Sequence, residues 1–129
     1  MSTYIHDAKD KAKENSYFRQ VVAHSDKTQV VLMSLLPGED IGMEVHPNED
    51  QVLYCVAGSG KCVLDGAEHS FEKGDVVLVS AGTEHNFING DDEPMKIITT
   101  YSPPHHKDGT VHKTKADAEA AEAAEHGDS

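Results

Sequence analysis

Apolar and polar positions alternate in short runs through the middle of the chain, and turn residues separate these runs. The runs are rich in β-branched and large apolar residues and recur roughly every 8 to 12 residues, with no helical segment between them. This pattern predicts an all-β barrel or sandwich. The predicted strands are Tyr17–Ala23, Thr28–Leu36, Val52–Ala57, Lys61–Asp65, His69–Phe71, Asp75–Val79, His85–Ile88 and Met95–Tyr101.

Two dipeptides predict tight turns between neighbouring strands. Asp65-Gly66 is a strong hairpin signal. If Gly58-Ser59 is also a two-residue loop, Cys55 lies opposite Cys62 across two strands. A disulfide is then geometrically conceivable, but in a reducing cytosol we expect two buried thiols.

The two ends of the chain differ from the middle. Residues 1–16 are charged and lack an apolar stripe, which predicts a flexible or loosely docked arm before a β-domain at 17–101. A segment with two prolines and several histidines follows, within 102–129. Thr114 and Asp117 have the spacing of a capping box, which predicts a short acidic, alanine-rich C-terminal helix with fraying expected at Glu125–Ser129.

The net charge of the chain argues against some classes of binding partner. The chain has 129 residues, and its 23 acidic against 11 basic residues give a formal charge of -12. This charge argues against a nucleic-acid or anionic-membrane partner. The sequence has no apolar run that predicts a membrane span and begins with charged residues rather than a secretory signal, so the cytoplasm is the expected location.

The candidate chemistry is concentrated in two segments. Glu44 and His46 are two positions apart, so on a strand their side chains leave the same face, with Cα atoms about 7 Å apart. Gln51 follows in the next strand, and His85 begins a later strand after a glycine-bearing turn. These four side chains could surround one metal ion.

The two segments resemble the paired motifs of the cupin superfamily. The first family motif, G-x5-H-x-H-x3-4-E-x6-G, corresponds to Gly38-x5-Glu44-x-His46-x4-Gln51-x6-Gly58. The second, G-x5-P-x-G-x2-H-x3-N, corresponds to Gly74-x5-Ser80-x-Gly82-x2-His85-x3-Asn89. The resemblance implies a small single-domain cupin: a jelly-roll-like double-stranded β-helix with one divalent metal inside, commonly in a homodimer.

The ligand types depart from the family pattern. Glu44 stands where the family has its first histidine, and Gln51 stands where it has glutamate. Two imidazoles, one carboxylate and one amide oxygen suit Fe, Mn, Ni or Zn. Gln51 is either a ligand or a hydrogen-bonding residue that orients one. Glu49 and Asp50 are expected to be solvated loop carboxylates. The histidines at positions 105, 106 and 112 are expected to be exposed and to bind metal only adventitiously, and the alternative is a functional lid over the site.

The expected function is binding or transformation of a small polar molecule at the barrel metal site. Dioxygenase, isomerase and lyase chemistry are all compatible, and the alternatives are a non-catalytic ligand-binding or sensory cupin, or a sugar isomerase-like enzyme. Arg19 is the only arginine and Lys61 is expected to face outward, so inward cations for a phosphate substrate are expected to be scarce. The expected barrel lining includes Leu53, Phe71, Leu78 and Phe87.

Overall fold

The computed structural model describes the backbone of residues 2–127 and the side chains of residues 2–124. It confirms the predicted all-β fold. Within these residues, ten strands form two antiparallel sheets. A six-stranded sheet has the order β10-β1-β2-β9-β4-β7, and a four-stranded sheet has the order β3-β8-β5-β6. The strands are β1 (Arg19–His24), β2 (Gln29–Leu35), β3 (Glu44–Val45), β4 (Asp50–Ala57), β5 (Ser59–Leu64), β6 (Ala67–Glu72), β7 (Val76–Val79), β8 (Glu84–Asn89), β9 (Met95–Ser102) and β10 (Val111–His112).

One hydrophobic core fills the space between the two sheets. Leu53 from the larger sheet packs in the same cluster as Phe71 and Phe87 from the smaller one, and these three side chains are fully buried. The two phenylalanine rings meet edge to face with centroids 4.9 Å apart. The core therefore joins the sheets into a barrel whose inward positions follow the two-residue period of the strands.

Leu78 does not line this core, so that prediction is wrong. Its side chain is 66% exposed, whereas Val79 beside it is buried. The run Val76–Val79 is apolar at every position, so its sequence does not show which alternate residues face inward. On the edge strand β7, Val79 takes the inward position and Leu78 faces out.

The Asp65-Gly66 hairpin is confirmed. Strands β5 and β6 pair with Leu64 opposite Ala67, and both loop residues have positive φ, at 48° and 85°. These angles match the two-residue turn that fits the right-handed twist of paired strands.

The second predicted hairpin is wrong. Strand β4 pairs with β7 and β9, whereas β5 pairs with β6 and β8, so the chain changes sheets at Gly58. Gly58 has φ 102°, and a Cβ there would lie 3.0 Å from the Cα of Met95. Cys55 is paired with Ile97 and Cys62 with Phe87, not with each other. Both thiols are free and buried, as expected.

Two helices flank the barrel. Helix α1 (Ala8–Glu14) lies in the polar arm, where Ala12 is fully buried beside Leu32 and Val56 in a small cluster separate from the barrel core. Helix α2 (Lys115–Gly127) confirms the predicted C-terminal helix, and the Thr114 hydroxyl accepts a hydrogen bond from the Asp117 amide at 3.1 Å. The fraying expected at the end of the chain reaches Asp128 and Ser129, which lie outside the described residues.

The division of the chain at residues 16 and 101 stays a prediction, as does the flexibility of the arm. Within the described residues, neither helix is long and apolar enough to cross a membrane.

Candidate functional site

Strand pairing places Glu44, His46 and His85 near one another, but their ligand atoms do not all lie within 4.8 Å of one another. Strands β3 and β8 pair with Glu44 opposite His85, and His46 follows directly after β3. His46 and His85 are 5% and 2% exposed, and their ring centroids lie 5.2 Å apart. The Nε2 atom of His46 lies 3.0 Å from a carboxylate oxygen of Glu44.

The contact between His46 and Glu44 lacks the direction of a hydrogen bond. His46 Nε2 is buried and has no hydrogen-bond partner within the described part of the chain, despite the nearby oxygen. Burial opposes ionisation of Glu44, but the contact with His46 and the charge of Arg19 outweigh it and lower the pKa of this carboxyl. Glu44 is therefore an ionised carboxylate beside a buried imidazole nitrogen.

The imidazole of His85 is oriented by the turn before it. Its Nδ1 lies 2.9 Å from the carbonyl oxygen of Thr83. Because a carbonyl only accepts hydrogen bonds, Nδ1 carries the proton in this contact, and in a neutral imidazole Nε2 is then the nitrogen with the lone pair. A backbone carbonyl holds the second ring nitrogen in this way in many metal-bound histidines.

Gln51 is buried in the barrel next to strand β9. Its side-chain nitrogen donates to the hydroxyl of Thr99 at 3.0 Å, and the residue is 2% exposed. Its side-chain oxygen has no hydrogen-bond partner among the residues that the structure describes. Buried polar atoms are nearly always paired, so an orphaned amide oxygen suits a ligand-binding role.

The structure adds two residues that sequence reasoning missed. Ligand atoms of His46, Glu49 and His105 all lie within 4.8 Å of one another. Among the described residues, no other three His, Cys, Asp or Glu side chains bring their ligand atoms this close. The rings of His46 and His105 are 4.4 Å apart between centroids, and His105 Nδ1 lies 3.4 Å from Glu49 Oε1. The expectation that Glu49 is simply solvated is therefore wrong, since its side chain is only 17% exposed.

Glu49 and His105 come together because strands β4 and β9 pair. Asp50, which begins β4, is opposite Ser102, which ends β9. Any residue shortly after Ser102 therefore reaches the loop before β4, where Glu49 lies. The sequence shows both strands but not that they are neighbours.

A buried glutamine holds the histidine-bearing loop in place. Gln29 is fully buried, and its side-chain oxygen accepts hydrogen bonds from the backbone amides of His105 and His106, both at 2.9 Å. Its side-chain nitrogen donates to the carbonyl oxygen of His106 at 3.0 Å. Three hydrogen bonds from one rigid strand thus fix the backbone from which the two imidazoles project.

A cavity of about 530 Å³ opens over Glu44, His46, Glu49 and His105, whereas His85 and Gln51 do not line it. A cavity of this size accommodates a small molecule. Its wall mixes apolar surface with carboxylates, imidazoles and one lysine. The apolar part comes from Val45, Pro47 and Ala121, and the polar part from Glu44, His46, Glu49, His105, His106, Lys107, Thr110, His112 and Glu122.

Comparison with known proteins identifies the family. The model of the Cupin domain matches residues 31–101, which is more than half of the chain. The chain belongs to the cupin family.

Two relatives and one solved structure resemble this cupin over most of its length. YrkC of Bacillus subtilis is 44% identical over 116 residues, which cover 85% of this chain and 62% of YrkC, so the chain spans less than two thirds of that relative. Protein L612 of Acanthamoeba polyphaga mimivirus is 34% identical over 113 residues, covering 84% of this chain and 70% of L612. The crystal structure of BH2720 from Bacillus halodurans is 37% identical, with a TM-score of 0.90, and the match covers 92% of this chain and 95% of that one. The double-stranded β-helix is therefore confirmed.

Two further groups of this cupin site stay neutral. Burial, with the nearby charge of Arg19, lowers the pKa of His106 to about 2. Burial likewise raises the pKa of Tyr101, whose ring stacks on His105 with centroids 5.6 Å apart and meets His46 edge-on at 5.7 Å. At neutral pH the cavity therefore presents an uncharged imidazole, and an uncharged phenol lies beneath it.

The prediction that inward-facing basic residues are scarce is wrong for Arg19. Arg19 on β1 points into the barrel, and its residue is 1% exposed. Its Nη1 atom lies 3.3 Å from His112 Nδ1 and 3.8 Å from a carboxylate oxygen of Glu122. Arg19 faces inward because it is two residues from the core residue Val21, so the two side chains leave the same face of β1; the bulge between Val21 and Ala23 lies beyond both.

Proposed function

We propose that this cupin binds one divalent transition metal through Glu44, His46 and His85, with Gln51 as a fourth ligand, and uses it to bind or transform a small polar molecule. The observation that carries the proposal is that two of its ligand atoms, His46 Nε2 and Gln51 Oε1, are buried without hydrogen-bond partners in the described chain; Arg19 Nε and His106 Nε2 share this property. Leaving such atoms unpaired is costly, and an ion would satisfy both.

The spacing of Glu44 and His46 agrees with this role. Two ligands that bind one ion at about 2.1 Å and at right angles to each other lie about 3 Å apart. The carboxylate oxygen and imidazole nitrogen are 3.0 Å apart without the direction of a hydrogen bond. One carboxylate leaves a net positive charge on a 2+ ion, so an oxygen-bearing ligand is still attracted.

The donor set suits Fe, Mn, Ni or Zn. Such an ion supplies a Lewis acid, and a redox-active one also supplies electron transfer. This chain's own residues would orient the ligand: Glu49 and His105 lie at one side of the cavity, and Gln29 holds the His105 backbone there. Dioxygenase, isomerase and lyase reactions are each compatible with this arrangement.

Metal analysis of tag-free protein purified without chelator tests the proposal. We expect about one transition metal per chain, and we expect His85→Ala to lose it. His24→Ala is the matched control, because His24 is exposed at the end of β1. His105→Ala should retain the metal; loss in His105→Ala with retention in His85→Ala would place the ion at Glu49 and His105 and would refute the proposed ligand set.

A non-catalytic binding protein is the second candidate. The observation that favours it is the neutrality of His106 and Tyr101, because neither group exchanges a proton near neutral pH. A binder should return its ligand unchanged after long incubation with metal-loaded protein, as followed by NMR of the ligand. Metal-dependent consumption of the ligand would exclude this candidate.

We also propose a homodimer in the cytoplasm. Val76 and Leu78 on the edge strand β7 are 63% and 66% exposed, which is unusual for large apolar side chains on a monomer and supports burial against a second copy. The two free thiols agree with a reducing compartment. Light scattering after size exclusion should give twice the chain mass, and Leu78→Lys should give the monomer.

A further inference from the structure

Arg19 is a buried cation with an incomplete set of partners. Its side chain is 2% exposed, and its Nε atom has no hydrogen-bond partner within the described residues. The carboxylate of Glu122 lies 3.8 Å from Nη1, which is an ion-pair contact but too long for a hydrogen bond. A buried guanidinium is stable when a carboxylate meets it closely through paired N–H donors. Glu122 fills this role only in part.

Glu122 stands between Arg19 and the cavity. Its side chain is 44% exposed, and it lines the same cavity as Glu44 and His46. Helix α2 is anchored one turn earlier, where Ala118 is buried in the barrel core, and at its start, where Lys115 pairs with Asp40. The Glu122 side chain can therefore turn towards solvent without unfolding the anchored part of the helix.

We propose that Arg19 recognises a carboxylate group of the ligand and that Glu122 occupies this position until the ligand replaces it. The ligand class is then a small carboxylic acid with a second oxygen, such as a hydroxy or oxo acid. The carboxylate pairs with Arg19, and the second oxygen points towards His46. The inference rests on the proposed function, because it places the ligand in the cavity lined by two of the proposed metal ligands, Glu44 and His46.

Charge balance favours a carboxylate over a phosphate. The cavity wall carries the carboxylates of Glu44, Glu49 and Glu122 against the ammonium of Lys107. When a ligand carboxylate replaces that of Glu122, one negative charge enters as another leaves, and the charge beside Arg19 is unchanged. A phosphate dianion would add a second negative charge next to these carboxylates.

The proposal predicts opposite effects for the two partners of the ion pair. The probe is glycolate, with glycolamide as its neutral analogue, and each is titrated calorimetrically into Zn²⁺-loaded protein. Glu122→Gln removes the competing charge and should bind glycolate about threefold to fivefold more tightly, the factor that a partly exposed ion pair contributes. Glu119→Gln changes an exposed carboxylate on the same helix and should bind like the unmodified protein.

Arg19→Met should lose the preference for glycolate over glycolamide, and its thermal unfolding shows whether the variant is folded. Equal glycolate affinities for Glu122→Gln and Glu119→Gln, or no binding to either, would overturn the proposal whatever Arg19→Met does. Repeating the titrations after chelation separates the two hypotheses. If the Glu122→Gln effect persists without metal, recognition by Arg19 is supported and the role of the metal in ligand binding is refuted. If the protein binds metal but Glu122→Gln has no effect, the metal site is supported and recognition by Arg19 is refuted.

Discussion

The buried side chain of Gln29 is expected to hold the loop that carries His105 and His106. Its oxygen accepts two backbone hydrogen bonds at 2.9 Å, and its nitrogen donates one at 3.0 Å. Gln29→Met keeps nearly the same volume but removes all three bonds. Each is worth about 0.5 to 1.5 kcal/mol, so the loop should lose about 3 kcal/mol of local stability. That loss corresponds to about a hundredfold increase in local opening.

Amide hydrogen exchange measures this change directly. The amides of His105 and His106 should exchange about a hundred times faster in Gln29→Met. The amides of strand β4 should change far less, because β4 is held by β7 and β9. Gln20→Met on β1 is the matched control, since Gln20 is only half-buried. Unchanged exchange at His105 and His106 in Gln29→Met would refute the idea that Gln29 positions the loop.

Three further predictions concern the scaffold around the site. Gly60→Ala should destabilise the fold by more than about 4 kcal/mol in denaturant unfolding, because its Cβ would lie 1.9 Å from the carbonyl oxygen of Ile88, whereas Gly90→Ala meets only ordinary contacts and should be tolerated. Burial raises the pKa of Cys55 to about 11, so this thiol should resist iodoacetamide at pH 8 until the protein is denatured, and labelling of folded protein at Cys55 would contradict its burial. The hydrogen bond from Lys115 is the largest influence on Asp40 and, with that from Asn86, lowers the pKa of this carboxyl despite partial burial. A lowered folded-state pKa gives stability that is present above the unfolded-state pKa and is lost as pH falls through the folded-state value. The stability difference between the unmodified protein and Asp40→Asn should therefore shrink on acidification below pH 4, and a difference that grows would show the sign to be wrong.

Local pattern was sufficient for the strands and for part of the site. The two-residue strand period placed Glu44 and His46 on one side, and the same period placed Gln51 inward with Leu53 and Cys55. The glycine-bearing turn before His85 fixed where that imidazole begins its strand. These features depend on short stretches of chain, where residue spacing and turn chemistry act directly.

The remaining features depend on which strands become neighbours. Glu49 and His105 meet because β4 pairs with β9, and the residues are 56 positions apart. Gly58-Ser59 has the composition of a hairpin loop, yet the chain crosses there from one sheet to the other. Turn chemistry does not state which sheet the next strand joins, and this is why the Cys55–Cys62 pairing was wrong.

The burial of Arg19 has the same origin. Its partners His112 and Glu122 come from the far end of the chain, and β1 reaches them through its pairing with β10. The sequence showed a single arginine but not that the C-terminal segment returns to cover it. The chemistry of the cavity therefore depends on contacts between the two ends of the chain as well as on the family motifs.

The central claim is that the metal lies between His46 and His85. An anomalous difference map from crystals of the metal-loaded protein, measured at the absorption edge of the bound ion, tests it most directly. We predict one peak within about 2.0 to 2.2 Å of the Nε2 atoms of both histidines and beside the Glu44 carboxylate. A peak held by Glu49 and His105 instead, or no peak in metal-loaded crystals, would contradict the claim.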